Sequence, residues 1–242
     1  MPAAMILAAG RGERMRPLSD ACPKPLLRVG GKPLIVWQIE ALARAGFQDL
    51  VINVAHHADQ FVEALADGGA HGVRIRWSRE PEALETAGGV ATALPLVPPG
   101  PLVVVSGDIW TRFNYGSLIP RRDAMAQRRD GPRAHLVMVP NPAFHPRGDF
   151  HLSGTTLALD GEPRLTFGNI ALYDTALFAE LPRGVKLKML PLFERWIRAG
   201  IVSAERYDGP WANVGTPADL AALDRTLAHP ASSSSPPPGP SP

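Results

Sequence analysis

Directly after a short apolar run, the stretch LAAGRGERMRPLSDACPKPL, Leu7 to Leu26, holds two glycines, three prolines and four cationic side chains. Glycines let backbone N–H groups come close to an anion, and Arg11, Arg14, Arg16 and Lys24 supply positive charge for it. The segment lacks the third glycine of the dinucleotide fingerprint and the GK[ST] ending of a Walker loop, so neither common phosphate motif applies. Pro17, Pro23 and Pro25 forbid one regular helix across it, which predicts an extended loop displaying N–H groups and cations. That display suits a polyphosphate. On the residues alone, a surface crossover with incidental arginines also fits.

The elements around the loop must position it. AMILAA reads as a buried strand, and PLIVWQIEALARAG places Leu34, Ile35, Ile39 and Leu42 on one helical face, with Pro33 at its start and Gly46 at its end. LVINVA, VRIRWS and PLVVVSGD read as further strands, while ADQFVEALAD and ETAGGVATAL read as helices between them. Buried strands alternating with helices are βαβ units. The fold class is therefore α/β: a mostly parallel sheet with helices on both faces and ligands beyond the carboxyl ends of its strands, where the opening loop and Gly107-Asp108 both fall. Past residue 130 the strand-like pieces AHLVMVPN, FHLSG, TTLALDG and LTFGNIALYD precede helices around LKMLPLFERWIRAG and TPADLAALDRTLA. This half is expected to build a second substrate's pocket and close the sheet.

Composition narrows the function classes. With 242 residues, 45% of them apolar, the chain can bury one large domain, expected over residues 1–228. Residues 229–242, within HPASSSSPPPGPSP, carry no charged side chain and nothing large and apolar, and read as a disordered tail. A net charge of only +2 leaves no general basic field, so no nucleic-acid partner is expected and any anion site must be local. Cys22 is the single cysteine, which excludes an internal disulfide and fits a reducing compartment. No apolar run approaches the ~18 residues of a membrane span and no secretory signal is present, so no membrane partner and a cytoplasmic location are expected.

LAAGRGERMRPL followed by PKPL resembles the signature of the sugar-1-phosphate nucleotidyltransferase family. Further segments agree in order: ALETAGGV (83–90), VVSGDIW (104–110), RGDF (147–150), FGNIALY (167–173) and WANVGTPADL (211–220). The resemblance covers about residues 4 to 228. Within the family, the GERMRPL, LETAGG, GDIW and RGDF segments are most similar to the N-acetylmuramate 1-phosphate uridylyltransferase subgroup. This implies a Rossmann-like nucleotide-diphospho-sugar transferase fold with a mixed sheet, Mg²⁺ as cofactor, UTP and N-acetylmuramate 1-phosphate as substrates, and a monomer or weak homodimer. Another sugar 1-phosphate (glucose, N-acetylglucosamine or mannose), or a silent relative that senses nucleotide sugars, stays open.

The chemistry so implied is attack by a sugar-phosphate oxygen on the α-phosphorus of a nucleoside triphosphate. The nucleophile is already an anion, so positioning and charge neutralisation suffice and no general base is required. By resemblance, Gly12, Glu13 and Arg14 wrap the triphosphate and Lys24 is a point charge at the reacting phosphates. Asp108 is the implied Mg²⁺ ligand, although an aspartate after a strand is otherwise a turn or cap residue. Family members often carry aspartate where this chain has Asn213, an uncharged second ligand. Ala9, Gly10 and the loop from Glu80 to Gly88 are expected at the base, with the following helix N-terminus favouring anions. Gly88-Gly89 equally suits tight helix packing. Ser106, Arg147, Asp149, Asn169 and Lys188 are expected at the sugar, Arg147, Lys186 and Lys188 being the supply of cations for a lactyl carboxylate.

Other features are assigned structural roles. His56-His57, and His145 with His151, lack the helical spacing of a zinc site and read as surface or capping histidines. Trp37, Trp77, Trp110, Trp196 and Trp211 are scattered without interleaved cations, which predicts core and pocket-wall packing.

Overall fold

The structure, a computed structural model, describes residues 3–127 and 131–228. The Ser/Pro-rich segment read as a tail lies outside them. In chain order the elements are β1 (Ala3–Leu7), α1 (Leu18–Ala21), β2 (Arg28–Val29), β3 (Lys32–Pro33), α2 (Leu34–Arg44), β4 (Asp49–Val54), α3 (Ala58–Leu65), β5 (Arg74–Arg79), α4 (Glu85–Ala93), β6 (Pro101–Ser106), β7 (Ile109–Thr111), α5 (Ile119–Gln127), β8 (Ala134–Val139), β9 (Phe150–Ser153), β10 (Thr156–Ala158), β11 (Arg164–Asp174), α6 (Leu190–Arg198), β12 (Val202–Arg206), β13 (Trp211–Asn213) and α7 (Pro217–Ala228).

Nine strands form one sheet in the order β5-β4-β1-β6-β11-β8-β12-β10-β9. The first four pair in parallel, as their βαβ connections require. β11 then enters antiparallel between β6 and β8, and its N-terminal end also pairs β9, which closes the second half into a small barrel. The expected α/β fold with a mixed sheet therefore stands, its antiparallel pairings lying in the second half.

Side-chain alternation builds a core on each face. From β1, Ala4 and Ile6 point with Val103 and Val105 of β6 toward Ile35, Ile39 and Leu42 of α2 and Phe61 and Leu65 of α3. Ala3 and Met5 point the other way, with Leu102 and Val104, toward Ala87 and Val90 of α4 and Phe193 and Trp196 of α6. Strands buried on both faces explain why these segments read as continuous apolar runs. A third, smaller cluster of Met15, Val29, Leu34, Trp110, Val214 and Leu223 gathers residues from the loop, α2, β7 and α7. As expected, Trp196 packs in an aromatic group with Tyr173, Phe178 and Phe193, and Trp37 meets Trp110 edge-on at 6.2 Å.

One expectation needs correction, and two features of the fold have no counterpart in the sequence reading. The segment after β1 is not extended but broken by its prolines into three single turns, Glu13–Met15, α1 and Lys24–Leu26. Each turn satisfies its own backbone locally, which a long extended loop does not. The helix α5, and the ladder of β7 with β13, carry no periodic signal strong enough to read because each is short or mostly polar.

Gly88 is a packing position. A β-carbon there would stand 2.2 Å from the Val185 carbonyl oxygen and 3.1 Å from Leu187 N. Gly88→Ala gains at most about 1 kcal/mol of helix propensity but overpacks backbone against backbone, costing about 1–3 kcal/mol. Thermal unfolding should show a net drop in Tm of a few degrees; an increase would mean that the approach of residues 185–187 is not tight.

Candidate active site

The site begins with an anchored loop. Met15 is fully buried in the third cluster, so the turn that carries Arg14 is tied to the core by the residue beside it. Gly12 has φ +66°, and a β-carbon on it would stand 3.1 Å from Lys24 Cβ. Its carbonyl accepts a 2.8 Å bond from Ser19 Oγ. The left-handed glycine thus folds the start of the loop back onto Lys24. Arg14 is exposed, and its Cζ lies 3.6 Å from where a Gly215 β-carbon would stand, which places the guanidinium against the start of the segment leading into α7.

A buried polar pair supports this loop from below. Asn53 Oδ1 accepts from Ala8 N at 2.9 Å, and Asn53 Nδ2 donates to Glu80 Oε1 at 2.7 Å. Glu80 Oε2 accepts from Leu84 N at 3.0 Å. Burial pushes the Glu80 carboxyl above its ordinary range, and the bonds from Asn53 and Leu84 pull it back. Glu80, expected at the base, is only 5% exposed with both oxygens engaged, so it holds the two loops together. Asn53 was missed, although an amide inside the apolar run LVINVA is a visible signal.

A cleft of about 460 Å³ opens above this support, lined by Leu7, Ala9, Gly10, Arg11, Gly12, Glu13, Asn53, Ala83, Glu85, Thr86, Ser106 and Asp108. That size fits a nucleotide. The expected Ala9, Gly10, Gly12, Glu13, Ser106 and Asp108 therefore meet; Arg11, Glu85 and Thr86 join them. Glu85 has φ +62°, a conformation rare for a side chain of its size. Gly88 does not join: its helix phase turns it toward Val185, and Leu187 O accepts from Ala87 N and Gly88 N at 3.0 and 3.2 Å. Those two N–H groups of the α4 N-terminus are thus spent on the protein.

Asp108 follows β6 and precedes β7. Its carboxylate pairs with Lys24 Nζ, the two side chains being 27% and 12% exposed. The β7–β13 ladder sets Asn213 opposite Ile109, and Val214 N donates to Asp108 O at 3.0 Å, so the backbones of the two residues expected to hold a metal run close together, while Asp108 lines this cleft and Asn213 lines another cavity, with Trp110, Trp211 and Asp219. Asn213 Oδ1 is buried without a hydrogen-bond partner. An orphan amide oxygen is the type of donor a hard cation takes, and Mg²⁺ commonly takes one or two protein oxygens plus phosphates and waters. Among the described residues no three His, Cys, Asp or Glu side chains cluster.

The expected sugar residues sit on β11 and its neighbours. A register shift between Phe167 and Ala171 marks a bulge, and Asn169 inside it has φ +57°. Its amide makes no hydrogen bond among the described residues. Asp149 is more committed: Oδ2 accepts from Phe167 N at 2.8 Å and Oδ1 meets His145 Nε2 at 3.0 Å. His145, expected to be a surface residue, thus orients this carboxylate. Arg147 and Lys188 are exposed, and Lys188 follows the Leu187 backbone docked on α4. Lys186 pairs with Glu82 at 2.5 Å.

Asn53→Ala leaves Ala8 N–H without an acceptor and the buried Glu80 carboxylate with one donor fewer, at a cost of about 2–4 kcal/mol. A carboxyl raised in the folded state favours its protonated form there, so its contribution worsens as pH rises through the raised value. The variant raises Glu80 further. Its stability deficit, followed by denaturant unfolding, should be largest at neutral pH and shrink below the ordinary carboxylate range; a deficit independent of pH would remove Glu80 from this role.

Residues 3–143 match the family model described as nucleotidyl transferase. Over 217 residues, 88% of this chain and 93% of the relative, the sequence is 43% identical to the N-acetylmuramate alpha-1-phosphate uridylyltransferase of Neisseria meningitidis serogroup B. It is 34% identical over 239 residues to the protein of the same name from Caulobacter vibrioides, covering 93% and 97% of the two chains. Among solved structures, HddC from Yersinia pseudotuberculosis complexed with GMP-PN superposes with a TM-score of 0.75 at 18% identity, covering 94% of this chain and all of that one. The inositol-1-phosphate CTP transferase from T. maritima gives 0.74 at 17% identity over 96% and 98%. At such identities these two attest the fold alone. The family model spans more than half of the chain and both sequence relatives match nearly all of it, so the chain belongs to the nucleotidyl transferase family.

Proposed function

We propose that the protein transfers UMP from UTP to N-acetyl-α-muramate 1-phosphate, releasing pyrophosphate and UDP-N-acetylmuramate, as a cytoplasmic step of peptidoglycan recycling. The observation that carries the transfer is the meeting of the glycine loop, Ser106 and Asp108 around one cleft at the carboxyl ends of β1 and β6, with Lys24 against Asp108. The choice of uridine and of N-acetylmuramate rests on the two relatives of that name.

In this reading the backbone at Ala9 and Gly10 approaches the base, and Gly12, Glu13 and Arg14 enclose the triphosphate. Arg14 offers a planar fork of donors and Lys24 a movable point charge. Asn169 offers an unpaired amide to the sugar, and Asp149 keeps spare lone pairs on both oxygens. Arg147 and Lys188 supply charge for the lactyl carboxylate. A phosphate oxygen of the sugar attacks the α-phosphorus, forming one P–O bond while the bond to the α,β-bridging oxygen breaks and pyrophosphate leaves with its electrons. No proton needs removing. The protein's work is alignment and fixed positive charge in a site where water need not reorganise. Asp108 and Asn213 would hold Mg²⁺, which supplies charge neutralisation across the phosphate oxygens.

A pyrophosphate-release assay crossing the four nucleoside triphosphates with muramate, glucose, N-acetylglucosamine and mannose 1-phosphates should give the largest kcat/KM for UTP with N-acetylmuramate 1-phosphate. Another preferred pair would replace the substrate assignment. In the same assay Asp108→Asn should lower kcat by about 10²-fold or more with an unchanged melt, because the site loses its only charged metal ligand. Normal activity and Mg²⁺ dependence in that variant would refute its role.

Asn213→Asp adds a negative ligand and should lower the Mg²⁺ concentration for half-maximal rate. If instead only KM for the sugar phosphate moves, Asn213 belongs to the sugar pocket.

A further inference from the structure

We propose that Lys24 keeps the cation position at Asp108 closed until a nucleoside triphosphate arrives, so that the divalent ion enters with the nucleotide and not ahead of it. The proposal rests on the reading of Asp108 as the metal ligand. Its observation is that the side chain assigned to the phosphates and the side chain assigned to the metal are bonded to each other: Lys24 Nζ donates to Asp108 Oδ2. Both are largely shielded, Lys24 the more so.

Local structure holds this contact. Lys24 opens a single turn between Pro23 and Pro25, both buried, and its Cβ abuts the left-handed Gly12. The turn fixes where the stem leaves the backbone, and from there the ammonium reaches Asp108. A dication placed on that carboxylate would lie against the ammonium in a partly buried site, where repulsion is poorly screened. Moving the ammonium away with nothing to receive it would leave a shielded cation unpaired. Both routes disfavour metal in the nucleotide-free protein. A triphosphate changes the balance. Its oxygens accept the ammonium's three donors, its negative charge outweighs the repulsion, and Asp108 becomes available.

The test titrates Mn²⁺ into the full chain without nucleotide, with free Mn²⁺ followed by electron paramagnetic resonance. Lys24→Met keeps an unbranched stem and removes the charge. It should bind Mn²⁺ at least tenfold more tightly than the wild type, and Lys24→Met combined with Asp108→Asn should lose that gain. Wild type should acquire a Mn²⁺ site when a non-hydrolysable UTP analogue is added, beyond the ion bound by the analogue alone. A thermal melt checks each fold, and Lys24→Gln replaces the methionine variant if that one is unfolded. Equal Mn²⁺ affinity in wild type and variant, with the analogue-dependent site intact, overturns the gating role and leaves the proposed function standing. Absence of any Asp108-dependent site even with the analogue overturns the metal assignment itself, and the proposal with it.

Discussion

Parallel pairing of β1 with β6 is the constraint on which the rest of the site depends. The register sets Leu7 opposite Ser106, and Gly107 N donates to Leu7 O at 2.8 Å, so both strands finish at one level and release their loops into one crevice. A β-carbon at Gly107 would sit 3.2 Å from that same carbonyl, closer than ordinary packing, so glycine suits this junction. Parallel strands cannot be joined by a tight turn, and the crossovers they require are the helices that bury both faces. Binding loops at one end and cores on each side thus have a common cause.

Fixed polar contacts then convert loose loops into a shaped cleft. The loop after β1 and the loop before α4 are distant in sequence, yet Asn53 and Glu80 join them through a chain of buried hydrogen bonds. Such a chain holds only while every member is satisfied, which makes it a rigid support. The bulge in β11 does comparable work on the other side, re-aiming one residue of an otherwise regular strand. Charge is distributed differently from polarity. The chain is nearly neutral overall, and the loop from Arg11 to Lys24 carries four cations, while Glu13, Glu85 and Asp108 bring carboxylates to the same cleft and Lys24 pairs with Asp108.

The distinction between contact and support explains several residues whose places differ from expectation. Glu80 and Gly88 fall in the segment that resemblance places at the base, but each serves the loop's shape: the first through buried hydrogen bonds, the second by admitting the backbone of residues 185–187. Asp149 is likewise partly spent on Phe167 and His145. Residues that hold a loop in place must be as particular as those that touch a ligand, so a motif mixes the two kinds.

By itself the sequence determined the alternation of strand and helix, because apolar runs bounded by Gly and Pro can be satisfied only as buried strands and their crossovers. It also determined the chemistry on offer: cations beside glycines, an aspartate after a buried strand, and the amide of Asn213. Tertiary structure alone decided which of these meet. The Lys24–Asp108 pair spans 84 positions and the Asn53–Glu80 bond 27, and no local pattern encodes either, since each depends on strand register and on the direction in which a turn leaves its strand. The β7–β13 ladder that sets Asn213 opposite Ile109 is of the same kind: with three residues in each strand it has no period to read, and its pairing satisfies backbone groups of segments about a hundred positions apart.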